Sequence, residues 1–181
     1  MTTTGKRRLY GFAIAAAIFV VDQVLKWIVD NVLDMQLGES IPLIPIFALT
    51  RTHNYGVSLG MFTAQSTEMK LALIAVTGLI AVVVLVWLLR ERLLADVAGL
   101  ALILGGALGN IQDRYQLGYV IDYADFHIGT FRPFLIFNVA DAAITIGVLI
   151  ILARALFMRE KPPAAQDEVV ADQTAENSTN A

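Results

Sequence analysis

Two carboxylates of this chain stand where a carboxylate is costly. Asp141 is the only charge in the apolar run 133–153, and Asp122 lies in "GYVIDYADF", shortly after the apolar run 93–112. Two acids that face each other in a poorly hydrated place cannot both ionise. One keeps its proton, and the pair can then activate a water while protonating a leaving group. That chemistry suits hydrolysis of a bond held at a membrane surface. Asp125 competes with Asp122 for the loop half of such a pair. Three residues apart, the two acids would share a face on a helix and take opposite faces on a strand. Val120-Ile121-Asp122-Tyr123 is rich in β-formers, so extended chain is expected there and only one of the two can point at Asp141.

Other polar residues fall at helical spacings. Asp22 and Lys26 are four apart with the acid first, and such a pair can neutralise itself along one helix. Asn138 and Asp141 are three apart with Thr145 beyond them, a stripe that serves either a site or interhelical hydrogen bonding. In "LGGALGNIQDRYQ", Asn110, Asp113 and Arg114 follow Gly105, Gly106 and Gly109. Gly105-x-x-x-Gly109 is a small-residue ridge that lets a helix approach its neighbour closely. A packing seam explains the glycines but not the amide, acid and base after them. Asp96, at the start of its run, reads as a helix-dipole or interface residue. The two histidines, His53 and His127, are not in a metal-ligand spacing, so no metal site is expected. With no cysteine there is no disulfide, thiol nucleophile or Cys-ligated zinc.

The elements that must position these groups are membrane helices. Hydrophobic residues make up 57% of the 181 residues, above the 45–50% or so of soluble domains, and mean hydropathy is +0.66. Four runs, 9–29, 71–89, 93–112 and 133–153, reach the roughly 20 apolar residues that span a bilayer. The first has the basic start of a signal peptide, but its pattern continues past Asp22 to Val29 and three more runs follow. With both termini cytoplasmic, Lys6, Arg7, Arg8, Arg90, Arg92, Arg154, Arg159 and Lys161 lie inside, against Arg51, Lys70, Arg114 and Arg132 outside. The excess of inner Lys and Arg selects that orientation. At 1.5 Å per residue, Asp22 lies about 20 Å from the inner end of span one and Asp141 about 12 Å from the outer start of span four. Asn110 is near the outer end of span three. All three therefore meet in the outer half of the membrane. A charge there costs about 2.5–3.5 kcal/mol on insertion scales, which a shared polar site would explain.

The fold expected is an α-helical integral membrane protein of four transmembrane helices, with a small extracytoplasmic β-containing segment between helices 1 and 2. Residues 1–158 would form the membrane domain. The β-formers and prolines of 38–62 suggest a small sheet of edge-type strands that cradles a peptide. "RER" at 90–92 would make a tight inner hairpin. The tail 159–181 is polar, acidic and expected to be disordered. Its Asn177-Ser178-Thr179 sequon has no meaning on the cytoplasmic side. Residues outside the tail sum to about neutral, so nothing suggests nucleic acid.

Two other functions fit membrane acids. A proton-coupled carrier would want polar residues through the full depth. Here span two has only Thr77, and span four has nothing polar beyond Thr145. A Ser–Lys hydrolase could use Ser58 and Lys26, but Ser58 lies in a loop with no clear oxyanion partner.

In order, the chain carries "DQVLK" (Asp22 to Lys26), "NYGVSLG" from Asn54, "GGALGNIQDR" (Gly105 to Arg114), "VIDY" with Asp122 and "FNVAD" (Phe137 to Asp141). These five motifs, on four spans, resemble the lipoprotein signal peptidases, also called type II or prolipoprotein signal peptidases. The resemblance covers nearly the whole chain apart from the tail. It implies an aspartic endopeptidase of the bacterial inner membrane with Asp122 and Asp141 as its dyad, and no cofactor. The substrates implied are prolipoproteins whose cysteine carries diacylglycerol, cut just before that cysteine. Peptide inhibitors of the family would bind the dyad. The family pattern sets the loop acid after two aliphatics and before an aromatic. "VIDY" fits this better than "YADF", which leaves Asp125 as a solvated or interfacial acid. Asp22, Lys26, Asn54, Gly56, Gly109, Asn110, Asp113, Arg114 and Asn138 would bind substrate or support the dyad. Asn110, Asp113 and Arg114 would do so by hydrogen-bonding carboxylates and carbonyls. Phe137 and the apolar spans would wall the acyl chains among membrane lipids. One departure stands in motif two, where Val57, Ser58 and Leu59 replace the usual Ala-Ala-Phe after Gly56. It bears on peptide preference.

Overall fold

The computed structural model describes residues 3–56 and 67–157. Residues 57–66 and the tail from 158 lie outside them, so the expectations for Val57, Ser58 and Leu59 and for tail disorder do too. The four apolar runs form helices α1 (Thr3–Trp27), α2 (Thr67–Arg90), α3 (Leu94–Gln116) and α4 (Val139–Phe157). Each is long and apolar enough to cross a membrane. α1 continues into a π-helical turn, Ile28–Val32. Arg7 and Arg8 donate to the carbonyls of Arg92 and Leu89, which ties the start of α1 to the α2–α3 hairpin. Glu91 Oε1 accepts from the backbone N–H of Arg92 and Leu93, so the acid of "RER" satisfies amides at the start of α3. Asp96 does more than face the helix dipole: its Oδ1 pairs with Arg154 Nε of α4 at 2.5 Å.

α3 is the hub. Over its most apolar window 56% of the helix is buried, against 17–22% for the other three. Only α3 is surrounded by protein, and its small residues are what allow this. A Cβ on Gly105 would sit 2.5 Å from the Ala15 carbonyl of α1, and one on Gly106 would collide with the Ala140 carbonyl of α4. The predicted ridge therefore serves two partners, with adjacent glycines facing different helices.

Strands β1 (Ser40–Ile44), β2 (Phe47–Asn54) and β3 (Val120–Phe126) form an antiparallel sheet in that order. β1 is a mostly exposed edge strand that carries Pro42, as its prolines predicted. β3, from the second loop, is buried along nearly its whole length. The expected β-segment between helices 1 and 2 is thus completed by a strand from beyond α3.

The fourth helix begins later than hydropathy suggests. Residues 133–138 are not helical; Phe137 bridges Ala124 of β3, with both exchanging backbone hydrogen bonds. Asn138 then caps α4. Its Oδ1 accepts from Asp141 N at 2.9 Å, and Asp141 Oδ2 accepts from Asn138 N at 3.2 Å. This reciprocal bonding is a capping box with Asp in the Glu position. The spacing read as one stripe on a helix is therefore a cap and its partner. Asp141 lies in the first turn of α4, not eight residues into it.

α4 ends at Phe157. Ending the chain after Met158 removes no described element, though it takes Arg159 and Lys161. The truncated protein is expected to insert and to keep activity within about twofold, since every apolar span and every motif residue is retained. A variant that inserts but has no activity would show that the tail takes part.

Candidate active site

Asp122 and Asp141 come together through one residue, Asn138. Asn138 Nδ2 donates to Asp122 Oδ1 at 2.6 Å, while the same residue's backbone N–H donates to Asp141 Oδ2. The remaining oxygens are held alike: Asn54 Nδ2 donates to Asp122 Oδ2 at 2.9 Å and Asn110 Nδ2 to Asp141 Oδ1 at 2.8 Å. Each of the four carboxylate oxygens thus faces a neutral amide donor. Among the described residues no ion pair reaches Asp122 or Asp141. Burial, and next the charge of Asp141, push Asp122 up to about 7. Near neutral pH Asp122 can therefore still hold its proton.

Local sequence accounts for these positions. Gly56 turns the chain after β2 at φ +79, where an L side chain is strained, and its N–H donates to Asn54 Oδ1 at 2.8 Å. That bond fixes which way the Asn54 amide points. Asp122 lies on β3 with its backbone paired to Thr52 of β2. Asp125, on the same strand, accepts from Arg132 Nε and Nη2 at 2.9 and 3.1 Å and from Thr50 Oγ1 at 2.9 Å. It is 1% exposed, so the expectation of a solvated acid is corrected. It is a buried, ion-paired one, and the Arg132 hydrogen bonds hold it below the usual carboxylate range.

Asp22 and Lys26 do pair, at 2.8 Å, but not with each other alone. Lys26 Nζ is equally close to Asp113 Oδ2, and it donates to Asn110 Oδ1 at 3.3 Å. Gln23, inside the first motif but not singled out in it, donates to Asp113 Oδ1 at 2.9 Å. Lys26 is thus saturated by acceptors, which leaves the Ser–Lys alternative without a free base. Gly109 gives room to a side chain instead of a backbone: a Cβ there would stand 2.5 Å from Asp22 Oδ2. Arg114 departs from its expected hydrogen-bonding role at one atom. Its Nε is buried with no hydrogen-bond partner, while Nη2 lies 3.4 Å from where a Gly56 Cβ would be. Thr50 and Arg132 were not among the expected site residues. Their nearest signal was Asp125, an acid in need of a partner once buried.

Two clefts meet at the Asp122–Asp141 pair. One, of about 860 Å³, is lined by residues that include Asn54, Gly56, Arg114, Asp122, Arg132 and Phe134. The other, of about 340 Å³, is lined by Phe134, Leu135, Phe137, Asp141, Ala142, Thr145 and Ile146. The first offers a peptide polar groups and the second is almost wholly apolar. Among the described residues no three His, Cys, Asp or Glu side chains stand together as a metal site.

The model of the family described as signal peptidase (SPase) II matches residues 14–157. The chain belongs to that family. It is 53% identical over 152 residues to a lipoprotein signal peptidase of Sphingopyxis alaskensis, covering 84% of this chain and 88% of the relative. It is 47% identical over 164 residues to one of Rhizorhabdus wittichii, covering 90% and 95%. A solved structure, a bacterial membrane enzyme determined in meso at 1.9 Å, superposes with a TM-score of 0.72 at 29% identity, covering 84% of this chain and 94% of that one. A second, at 2.3 Å, gives 0.68 at 28%. The protein is therefore a protease of the aspartic type that acts in lipoprotein processing.

Proposed function

We propose that Asp122 and Asp141 are the catalytic dyad of an endopeptidase that removes the signal peptide from diacylglyceryl-modified prolipoproteins, cutting just before the lipid-modified cysteine. One observation carries this reading: two acids from separate elements share Asn138 where a cleft of mixed polar and apolar lining meets an almost wholly apolar one. The mixed cleft, with Asn54, Arg114 and Arg132 in its lining, suits the peptide and the apolar one suits acyl chains. The ionised carboxylate takes a proton from a water whose oxygen attacks the scissile carbonyl. The protonated carboxyl gives its proton to the carbonyl oxygen, and collapse of the tetrahedral adduct sends a proton to the leaving amine. Asn54, Asn110 and Asn138 hold the carboxylates in place. In a bacterial inner membrane, with both termini cytoplasmic, the dyad lies at the outer face, where exported lipoproteins arrive. Peptide inhibitors of the family would occupy the mixed cleft against the dyad.

A synthetic prolipoprotein peptide tests this, supplied with and without diacylglycerol on its cysteine. Cleavage before the cysteine of the lipidated form alone is expected. Equal cleavage of both forms would remove the lipid from the reading.

The dyad also sets a pH dependence. Burial and Asp141 disfavour the Asp122 anion, so the shared proton is held below about 7 and lost as pH rises through it. Turnover is expected to fall by about tenfold per pH unit well above that point, as for loss of a required acid. A rate that stays flat to high pH in intact, inserted enzyme would contradict the shared proton.

A further inference from the structure

We infer that Lys26 positions the dyad by bridging two carboxylates, Asp22 and Asp113, each of which accepts the backbone N–H of the residue just before one dyad acid. The inference rests on the reading of Asp122 and Asp141 as that dyad. Lys26 Nζ lies 2.8 Å from Asp22 Oδ2 and 2.8 Å from Asp113 Oδ2. Asp22 Oδ1 accepts from Ala140 N at 3.0 Å, one residue before Asp141. Asp113 Oδ2 accepts from Ile121 N at 3.3 Å, one residue before Asp122. The third acceptor on Lys26 is Asn110 Oδ1, and the Nδ2 of the same amide holds Asp141. Every contact of the ammonium therefore leads towards the dyad: Asn110 bonds the Asp141 carboxylate itself, while Asp22 and Asp113 hold the amides of Ala140 and Ile121, each next to a dyad acid.

The arrangement exceeds what helix packing needs. An acid and a base four apart on α1 could neutralise each other with no other partner. Here the cation spends two of its three contacts on α3, at the two residues that reach β3 and Asp141. The bridge is also dry: Lys26 is 3% and Asp22 0% exposed. Water cannot substitute for a lost contact there, so the distance between the two accepted amides follows the length of the bridge. α4 follows β3 in the chain and is tied to it by Phe137 and Asn138, and Lys26 adds a brace from α1 and α3 to the residue before each dyad acid.

Lys26 is a positioning residue on this account, so its loss should lower kcat more than it raises KM. Lys26→Met is expected to insert and to lose about 100-fold in kcat, the scale of a 1 Å misplacement at a reacting centre, with KM within about threefold. That variant also strands two buried carboxylates, so Lys26→Met/Asp22→Asn/Asp113→Asn is measured beside it. The asparagines can still accept from Ala140 and Ile121 but carry no charge. The triple variant is expected to recover the melting temperature in detergent while kcat stays low. Recovery of both would make Lys26 a counter-charge only and overturn the inference, as would normal kcat in Lys26→Met. If Lys26→Met does not insert, the triple variant decides alone. Its failure to accumulate in the membrane would mean that the bridge holds the helices and not the dyad, which also overturns the inference. Asp122→Asn and Asp141→Asn run in parallel. Activity in those two would sink the dyad, whereas their inactivity beside an active Lys26→Met would sink only the positioning role.

Discussion

Asp122→Asn and Asp141→Asn are each expected to abolish turnover while the protein stays in the membrane, and Asp125→Asn is expected to keep cleavage within about tenfold of the parent. The amide is nearly isosteric with the acid and can still accept from Asn54, Asn110 or Asn138. It cannot share a proton, so at least the roughly 10²–10⁴-fold that general acid–base catalysis supplies should go. Asp125 sits on the same strand and is equally buried, which makes it a stringent control. Its oxygens are taken by Arg132 and Thr50, so Asn there weakens an ion pair and should cost stability in place of chemistry. Cleavage of a lipidated peptide, read beside membrane yield and melting temperature, separates the outcomes. An inactive Asp125→Asn beside an active Asp122→Asn would move the dyad three residues along β3. Loss of Asp141→Asn from the membrane, as opposed to loss of its turnover, would make Asp141 a structural acid.

The second large effect is expected at Gly109. Alanine there would put its Cβ 2.5 Å from Asp22 Oδ2, and a buried carboxylate held by Lys26 and Ala140 has nowhere to go. Either α1 shifts off α3 or Asp22 gives up one partner. Overpacking of this kind costs about 1–3 kcal/mol, and the displaced acid lies one residue from the position of Asp141. Gly109→Ala should therefore lose melting temperature and at least about tenfold in turnover, because small misplacements near reacting atoms are costly. Gly78 in α2 has nothing within 4 Å of its would-be Cβ. Gly78→Ala should be neutral or stabilising by about 1 kcal/mol, the helix-propensity gain of alanine over glycine. If the two substitutions behaved alike, the contact between Gly109 and Asp22 would not matter.

Much of this was legible in residue order, for a physical reason. Helices and strands follow from short periodicities, and a bilayer demands long apolar runs, so the four spans and the edge strand with Pro42 could be read directly. What local periodicity does not carry is a partner brought back by a turn of the chain. Hydropathy extended span four back to Pro133, because Phe134, Leu135 and Ile136 are as apolar as any helix. Phe137 instead gives its backbone to Ala124, and Asn138 starts the helix as a cap. The Asn-x-x-Asp spacing could have been read as that cap. Asp125 reads as a solvated or interfacial acid in the sequence because its partner, Arg132, is brought to it only by the turn of the chain after β3.

The sequence by itself determined that the acids and amides of separate apolar runs need one another as partners, since each isolated charge in a membrane is too costly to leave alone. It also determined that Asp22 and Lys26 share a helix face, because an i, i+4 spacing needs nothing beyond the helix. Only the tertiary structure decided that Lys26 is shared with Asp113, that Asp22 holds the amide before Asp141, and that Asn138 spans the two dyad acids. Those pairings join residues 16 to 118 positions apart. They form only when α1 and α4 close on opposite glycines of α3, and no local periodicity encodes which acid then meets which amide.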